Sequence, residues 1–164
     1  MTKAYSPKHK VYFRRRREGT TNFGKRLALV KSGKTRMIVR KTNKSVIVQF
    51  IDFEFGGDKT VVTVHSKKLA KLFSWPAKRN VYTAYLAGFY AGKEAMKKKI
   101  SDFVLDIGLQ RPTKGSVVFA ALKGAVDSGL KTSYDEGMVP SGKLASPPEA
   151  IKTAFEQVKK KIAG

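Results

Sequence analysis

Residues 37–53 read MIVRKTNKSVIVQFIDF. Two β-branched runs, Met37-Ile38-Val39-Arg40 and Val46-Ile47-Val48-Gln49-Phe50-Ile51, flank the polar tetrapeptide Lys41-Thr42-Asn43-Lys44. Branched side chains fit a pleated surface, and Asn tolerates the backbone of a tight turn. The stretch therefore predicts a β-hairpin with Asn43 in its turn. Gly56-Gly57-Asp58-Lys59 predicts a second turn, followed by a strand from Thr60 to Val64. Connections this short allow only antiparallel neighbours, so three antiparallel strands follow in a row.

Downstream the period changes. Ser66 to Phe73 reads as a short helix closed by Trp75-Pro76. Asn80 precedes a long helix, Val81 to Lys99, on which Ala84, Gly88 and Gly92 recur every fourth residue. Residues four apart share a helix face, and this smooth stripe predicts close packing against a sheet. Phe103 to Ile107 reads as a strand ended by Gly108, and a loop from Leu109 to Gly115 leads to a helix from Ser116 to Ser128. Gly129 then precedes a last strand, Leu130 to Tyr134. Strand–helix–strand alternation of this kind is the pattern of parallel βαβ units. A loop, Asp135 to Pro148, precedes a final amphipathic helix, Pro148 to Ile162. The fold class expected is α/β: a mixed sheet of order βββαβαβα with helices on both faces.

Upstream, Thr20 or Thr21 can cap a helix from Asn22 to Lys31 that Gly33 ends. Its apolar face is Phe23, Leu27 and Val30. Residues 1–19 show no hydrophobic period and read as a basic arm that orders on binding. The expected organisation is an arm over 1–19, a globular domain over 20–140 and a C-terminal helical extension over 141–164.

Charge is piled at the arm end. Of 34 Lys and Arg, 15 fall in residues 1–44 against one acid, Glu18, which places +14 of the net +22 there (15 − 1). Such a field repels itself unless a polyanion neutralises it. Lys8, Lys10 and Arg14-Arg15-Arg16-Arg17 are interleaved with Tyr5, Tyr12 and Phe13. Cations with stacking rings suit RNA, whose phosphates attract the first and whose unpaired bases accept the second. There is no cysteine and only two histidines, so disulfides and an ordinary zinc site are excluded. The N-terminus lacks an apolar signal core, and Tyr82 to Gly92 falls short of the ~20 residues that cross a bilayer. An intracellular protein without membrane or small-molecule substrate is expected.

Two local features add to the arm. Arg40, Lys41 and Lys44 surround Asn43 at a protruding turn able to follow a phosphate backbone. Arg111-Pro112-Thr113-Lys114-Gly115-Ser116 precedes a helix, whose free N–H groups favour an anion. Its order is Lys-Gly-Ser rather than the Gly-Lys-Ser/Thr of nucleotide-hydrolysing loops. A nuclease on a ribonuclease-H type of fold shares the element order but needs carboxylates converging on two metal ions. Met37 to Arg40 carries none, and Asp106 beside Gly108 reads as a strand-end residue satisfying backbone donors. A DNA-binding chromatin protein is the second rival. The rings of Trp75, Tyr82, Tyr85, Phe89 and Tyr90 fall at helical spacing and read mainly as core.

Arg14-Arg15-Arg16-Arg17-Glu18, Leu29-Val30-Lys31-Ser32-Gly33, Arg40-Lys41-Thr42-Asn43-Lys44 and His65-Ser66 occur in that order. Asn80, Ala84-Tyr85-Leu86-Ala87-Gly88, Pro112-Thr113-Lys114-Gly115-Ser116 and Asp127-Ser128-Gly129-Leu130 follow. Together they resemble the large-subunit ribosomal protein family that binds 5S rRNA, called L-eighteen in bacteria and archaea and L-five in eukaryotes. The resemblance covers roughly residues 8–140 and is closest to the archaeal form. It implies a structural, non-catalytic role in the cytoplasm, in the central protuberance of the large subunit. It implies 5S rRNA, the large rRNA and neighbouring ribosomal proteins, among them the L-five-type protein of bacteria and archaea, as partners, and no cofactor or metal. Carried onto this chain, it implies rRNA contacts at Lys8, Lys10, Tyr12 and Arg14 to Arg17 and at Arg40, Lys41, Asn43 and Lys44; Lys25 and Arg26, off the apolar face of the helix from Asn22 to Lys31, are further candidates. It further implies His65, Ser66, Asn80, Arg111, Thr113, Lys114 and Ser116.

Overall fold

The structure, a computed structural model, describes residues 7–8, 10–75 and 79–163. Tyr5 and Pro76, read above as a stacking ring and a helix stop, lie outside the described residues. The hairpin is β1 (Thr35–Lys41) and β2 (Val46–Glu54), and β3 (Gly57–His65) extends it. β4 (Phe103–Asp106) pairs in parallel with β1, giving the sheet order β3-β2-β1-β4. Register follows the pleat: Met37 opposite Phe50 and Val39 opposite Val48 send four apolar side chains to one buried face. The turn is closed by Thr42, whose N–H donates to the Ser45 carbonyl at 2.9 Å and whose Oγ1 accepts from the Ser45 N–H at 3.0 Å.

The helices α1 (Arg14–Arg17) and α2 (Phe23–Lys31) precede the sheet. α3 (Ser66–Phe73), α4 (Val81–Lys97) and α5 (Val117–Asp127) begin within a residue of their expected starts. α4 lies over β2 and β3, and α5 over β1. The core gathers Met37, Val39, Val48 and Phe50 from the sheet with Leu86, Ala87, Phe119 and Leu122 from the helices. The stretch expected as one long loop holds a 3-10 turn (Glu136–Met138) and a short helix, α6 (Ser141–Ala145). α7 (Glu149–Ala163) joins the same core through Phe155, Val158 and Ile162. Phe155 sits among the rings of Trp75, Tyr82 and Tyr85 at centroid distances of 6.3, 5.7 and 5.6 Å.

Other details differ from the sequence reading, among them the cap of α2, which is Asn22, whose Oδ1 accepts from the Lys25 N–H at 3.0 Å, rather than Thr20 or Thr21. The strand expected over Leu130 to Tyr134 contracts to a single parallel bridge between Asp102 and Lys131, because the chain then turns away into the segment capped by Asp135. The second turn is Phe55-Gly56 alone, so Asp58 and Lys59 belong to β3. The glycine stripe of α4 meets α5 rather than the sheet. A Cβ on Gly88 would collide with the Ala121 backbone, and one on Gly124 with the Tyr85 carbonyl, so each helix opens a groove for the other. Finally, α2 buries none of its residues, and Phe23 and Leu27 are exposed. It covers the second face of the sheet across a groove instead of packing onto it.

Candidate nucleic-acid interface

Strand direction decides what lies together. β1 and β4 are parallel, and β3 runs with them because β2 is antiparallel to both its neighbours. All three therefore end on one side, at Lys41, His65 and Asp106. α3 starts there directly after β3. Arg79, beside the start of α4, donates to the Thr42 carbonyl at 3.5 Å. The loop from β4 to α5 opens from the same end, anchored by Gln110, which donates to the Val39 carbonyl at 3.1 Å. The helix N-termini add partial positive charge to this end.

Lys41, Asn43 and Lys44 are exposed at the turn, as are Arg111, Thr113 and Lys114 in the loop. His65 and Asn80 serve as N-caps: His65 Nδ1 accepts from the Lys67 N–H at 3.0 Å, and Asn80 Oδ1 from the Thr83 N–H at 2.7 Å. Ser66 is fully buried, and its Oγ accepts from the Val46 N–H at 3.2 Å, so it holds the start of β2 and presents no hydroxyl at the surface. Ser116 precedes α5 in extended conformation without a side-chain cap, and its buried Oγ has no partner. Two N–H groups of its loop are already engaged, Gly115 with the Met138 carbonyl and Ser116 with the Thr113 carbonyl.

Arg40 does not share the turn's exposure. Its Nη1 donates to the Asp106 carbonyl at 2.9 Å and its Nη2 lies 3.3 Å from Asp106 Oδ1. Gly108, at φ 64°, makes room for this: a Cβ there would stand 3.0 Å from the guanidinium. Asp106 Oδ1 also accepts from the Gly108 N–H at 2.8 Å, the strand-end role read from the sequence.

The arm presents a different surface. α1 is a single turn of four arginines, with Arg14 Nε 2.7 Å from Glu18 and the Arg16 guanidinium 5.2 Å over the Tyr12 ring. Lys8, Lys10, Arg15 and Arg17 are exposed, as are Val11, Tyr12 and Phe13, the last at 90%. One turn of like charges is marginal alone.

Between α2 and the open sheet face runs a groove of about 630 Å³, floored by Ile38, Ile51, Leu105 and Ile107. Arg15, Lys25, Arg26 and Arg40 line it beside a cation that the sequence reading did not single out, Arg36. Arg36 is 2% exposed. Its Nη2 contacts Asp58 Oδ2 at 2.7 Å, and its Nη1 lies 3.7 Å from Asp106 Oδ2. Neither Nε nor Nη2 finds an acceptor in hydrogen-bonding geometry, so these carboxylates act on it chiefly as charges. The signal was the strand period: Arg36, Ile38 and Arg40 alternate with the buried Met37 and Val39 and therefore share the opposite face.

The carboxylates a nuclease would require are otherwise engaged. Asp106 is held by Arg36 and Arg40, and Asp52 accepts from Thr35 Oγ1 at 2.6 Å. Among the described residues, no three His, Cys, Asp or Glu side chains gather to hold a metal ion. Trp75 and Tyr85 are 2% exposed, and Trp75 Nε1 donates to Thr83 Oγ1 at 2.9 Å, so these rings belong to the core. No helix of the described residues is long and apolar enough to cross a membrane.

The family described as ribosomal large subunit proteins 60S L5 and 50S L18 matches residues 7–103 and 98–135. The chain belongs to this family. Among its relatives, the large ribosomal subunit protein uL18 of Aeropyrum pernix is 47% identical over 135 residues, which is 82% of this chain and 63% of that protein. The uL18 protein of Methanothermobacter thermautotrophicus is 47% identical over 137 residues, covering 84% of this chain and 71% of that protein. The match to the family takes in the arm from residue 7, α2, the hairpin turn and the loop before α5, and stops before α6 and α7. Every side chain described above as facing the groove or the basic sheet end thus lies inside the part of the chain that defines this ribosomal family.

Proposed function

We propose that this chain is a structural, non-catalytic constituent of the large ribosomal subunit in the cytoplasm. It binds 5S rRNA and helps attach it to the large rRNA in the central protuberance, beside other ribosomal proteins. The observation that carries this reading is the convergence of cations from distant parts of the chain. The turn Lys41 to Lys44, the loop Arg111 to Lys114 and the starts of α3 and α4 share one end of the sheet, and Arg15, Lys25 and Arg26 line the face beside it. Two phosphate backbones can approach each other only if charge between them is neutralised. The arm, residues 1–19 as a unit, supplies cations and the Tyr12 and Phe13 rings. The domain over 20–140 supplies a fixed cationic face, and residues 141–164 buttress it.

The test is a titration of the full chain with 5S rRNA and, separately, with duplex DNA of equal length, at several salt concentrations with and without Mg²⁺. Neutralising about six to ten phosphates lowers affinity roughly a thousandfold or more between 50 and 200 mM salt. Preference for 5S rRNA with that slope supports the reading. Equal affinity for duplex DNA, or RNA cleavage on adding Mg²⁺, rules it out.

A further inference from the structure

The end of the sheet remote from the basic turn is built differently. Residues 45–58 form the longest run of the chain without Lys or Arg, and they hold three of its 12 acids, Asp52, Glu54 and Asp58. Beyond Ile51, whose β1 partner is Arg36, the β2–β3 ribbon runs on without a third strand: Asp52 pairs with Lys59, Phe53 with Asp58, and Glu54 with Gly57. At its tip Phe55 is fully exposed and Phe53 is 48% exposed, with ring centroids 5.7 Å apart in an edge-on arrangement. A two-residue hairpin turn usually carries small polar residues, and nothing in the local fold requires phenylalanine there. Side chains this apolar, kept in water on an overhanging ribbon, mark a contact surface.

Charge selects the kind of partner. The cations that reach the ribbon are engaged: Lys59 with Glu54 at 3.3 Å, Arg26 and Arg36 with Asp58 at 2.7 Å, and Lys98 with the Val61 carbonyl at 2.7 Å. A phosphate backbone brought against Phe55 would meet the exposed Glu54–Lys59 pair and no free cation of the ribbon. A protein cleft with an apolar floor would cover both rings, and a Lys or Arg on its rim would pair with Glu54, whose partner Lys59 is exposed. The basic turn lies at the other end of β2, on the order of 27 Å away at ~3.4 Å per residue, so both ends can be occupied together.

We propose that the Phe53–Phe55 ribbon tip docks into an apolar, basic-rimmed cleft of a neighbouring protein, so that the two ends of the sheet divide RNA from protein contact. This rests on the large-subunit reading for where the neighbour is found. Phe55 inserts as the anchor, Phe53 closes over it, and Glu54 faces the basic rim.

The experiment places benzoylphenylalanine at position 55 of the full chain, incorporates the chain into large subunits, irradiates them and identifies the cross-linked product. A second arm measures retention of the Phe53→Ser, Phe55→Ser double variant on salt-washed subunits and its affinity for isolated 5S rRNA. A cross-link to a Lys- or Arg-rich protein segment is expected. Retention should weaken about tenfold or more, as for loss of a contact hot spot, with 5S rRNA affinity unchanged. A cross-link to rRNA or to an acidic protein segment, no cross-link at all, or a loss of 5S rRNA affinity equal to the loss of retention overturns the proposal. In those cases the chain still enters the particle and binds RNA, so the parent reading survives. A wild-type chain that fails to enter large subunits overturns both.

Discussion

Arg26 on α2 and Asp58 on β3 meet at 2.7 Å, and through this contact a helix without a buried residue is tied to the sheet. The same Asp58 oxygen takes Arg36 at 2.7 Å from beneath. One carboxylate thus serves a partly exposed cation that positions α2 over the groove and a buried cation that the sheet cannot release to water.

The two partners of Asp58 make its loss and the loss of Arg26 unequal. Asp58→Asn leaves Arg36 buried with only Asp106 near it, at 3.7 Å. Removing one member of a buried pair costs about 3–5 kcal/mol, and the 22% exposure of Asp58 places this case at or below the lower end. Arg26→Gln removes a partly exposed pair and costs no more than about 1 kcal/mol. Urea melts of both variants check the difference. Equal losses would mean that Arg36 does not depend on Asp58.

Gly88→Ala tests the helix crossing. Its new methyl meets the Ala121 backbone, which cannot rotate away, and overpacking of this kind costs about 1–3 kcal/mol. Gly92→Ala meets chiefly the Ser128 side chain, which can adjust, and is expected to cost less. Lys97→Ala should leave the melt unchanged. Denaturant midpoints in any other order would show that α4 is rotated from the orientation described.

The turn is best probed without Arg40, whose guanidinium braces Asp106. Lys41→Ala with Lys44→Ala removes two exposed charges and no packing. This pair should weaken 5S rRNA binding several-fold at fixed salt without moving the melt. Lys160→Ala with Lys161→Ala removes equal charge from the end of α7 and serves as the control. Equal weakening by the two pairs would reduce the turn to part of a diffuse positive field.

Tyr85 gives a pH signature. Burial pushes its hydroxyl above the ordinary tyrosine range, and donation to Asp127 Oδ2 at 2.8 Å adds to the effect. Lys123 is also raised, through its contact with Asp127 at 3.0 Å. Raised groups hold their protons more tightly when folded, so their contribution is complete below the unfolded values. It is lost as pH climbs past about 10. Thermal melts should therefore fall above that pH, and Tyr85→Phe should flatten the fall. An alkaline limb unchanged in this variant would remove Tyr85 as its source.

Sequence by itself determined most of the elements and the sign of the charge. The β-branched runs of Met37 to Ile51 set the hairpin, and Asn80 marked a helix start. The crowding of Lys and Arg into residues 1–44 called for a polyanion. These signals are local, because pleat, capping and net charge are properties of neighbouring residues. Tertiary structure decided which groups remain available. Arg40 reads like Lys41 in the sequence, yet a parallel pairing 66 residues away places Asp106 against it and leaves the lysine exposed. Ser66 reads as a polar surface residue, yet it is buried beneath the start of β2. The Ala84-Gly88-Gly92 spacing announced a close approach but could not name the partner, since Gly124 on α5 completes the fit from a distant segment. Asp58 looked like one turn residue among others until β3 carried it between Arg26 and Arg36. Such ion pairs and helix crossings depend on distances fixed only when remote segments meet, and no local pattern encodes those distances.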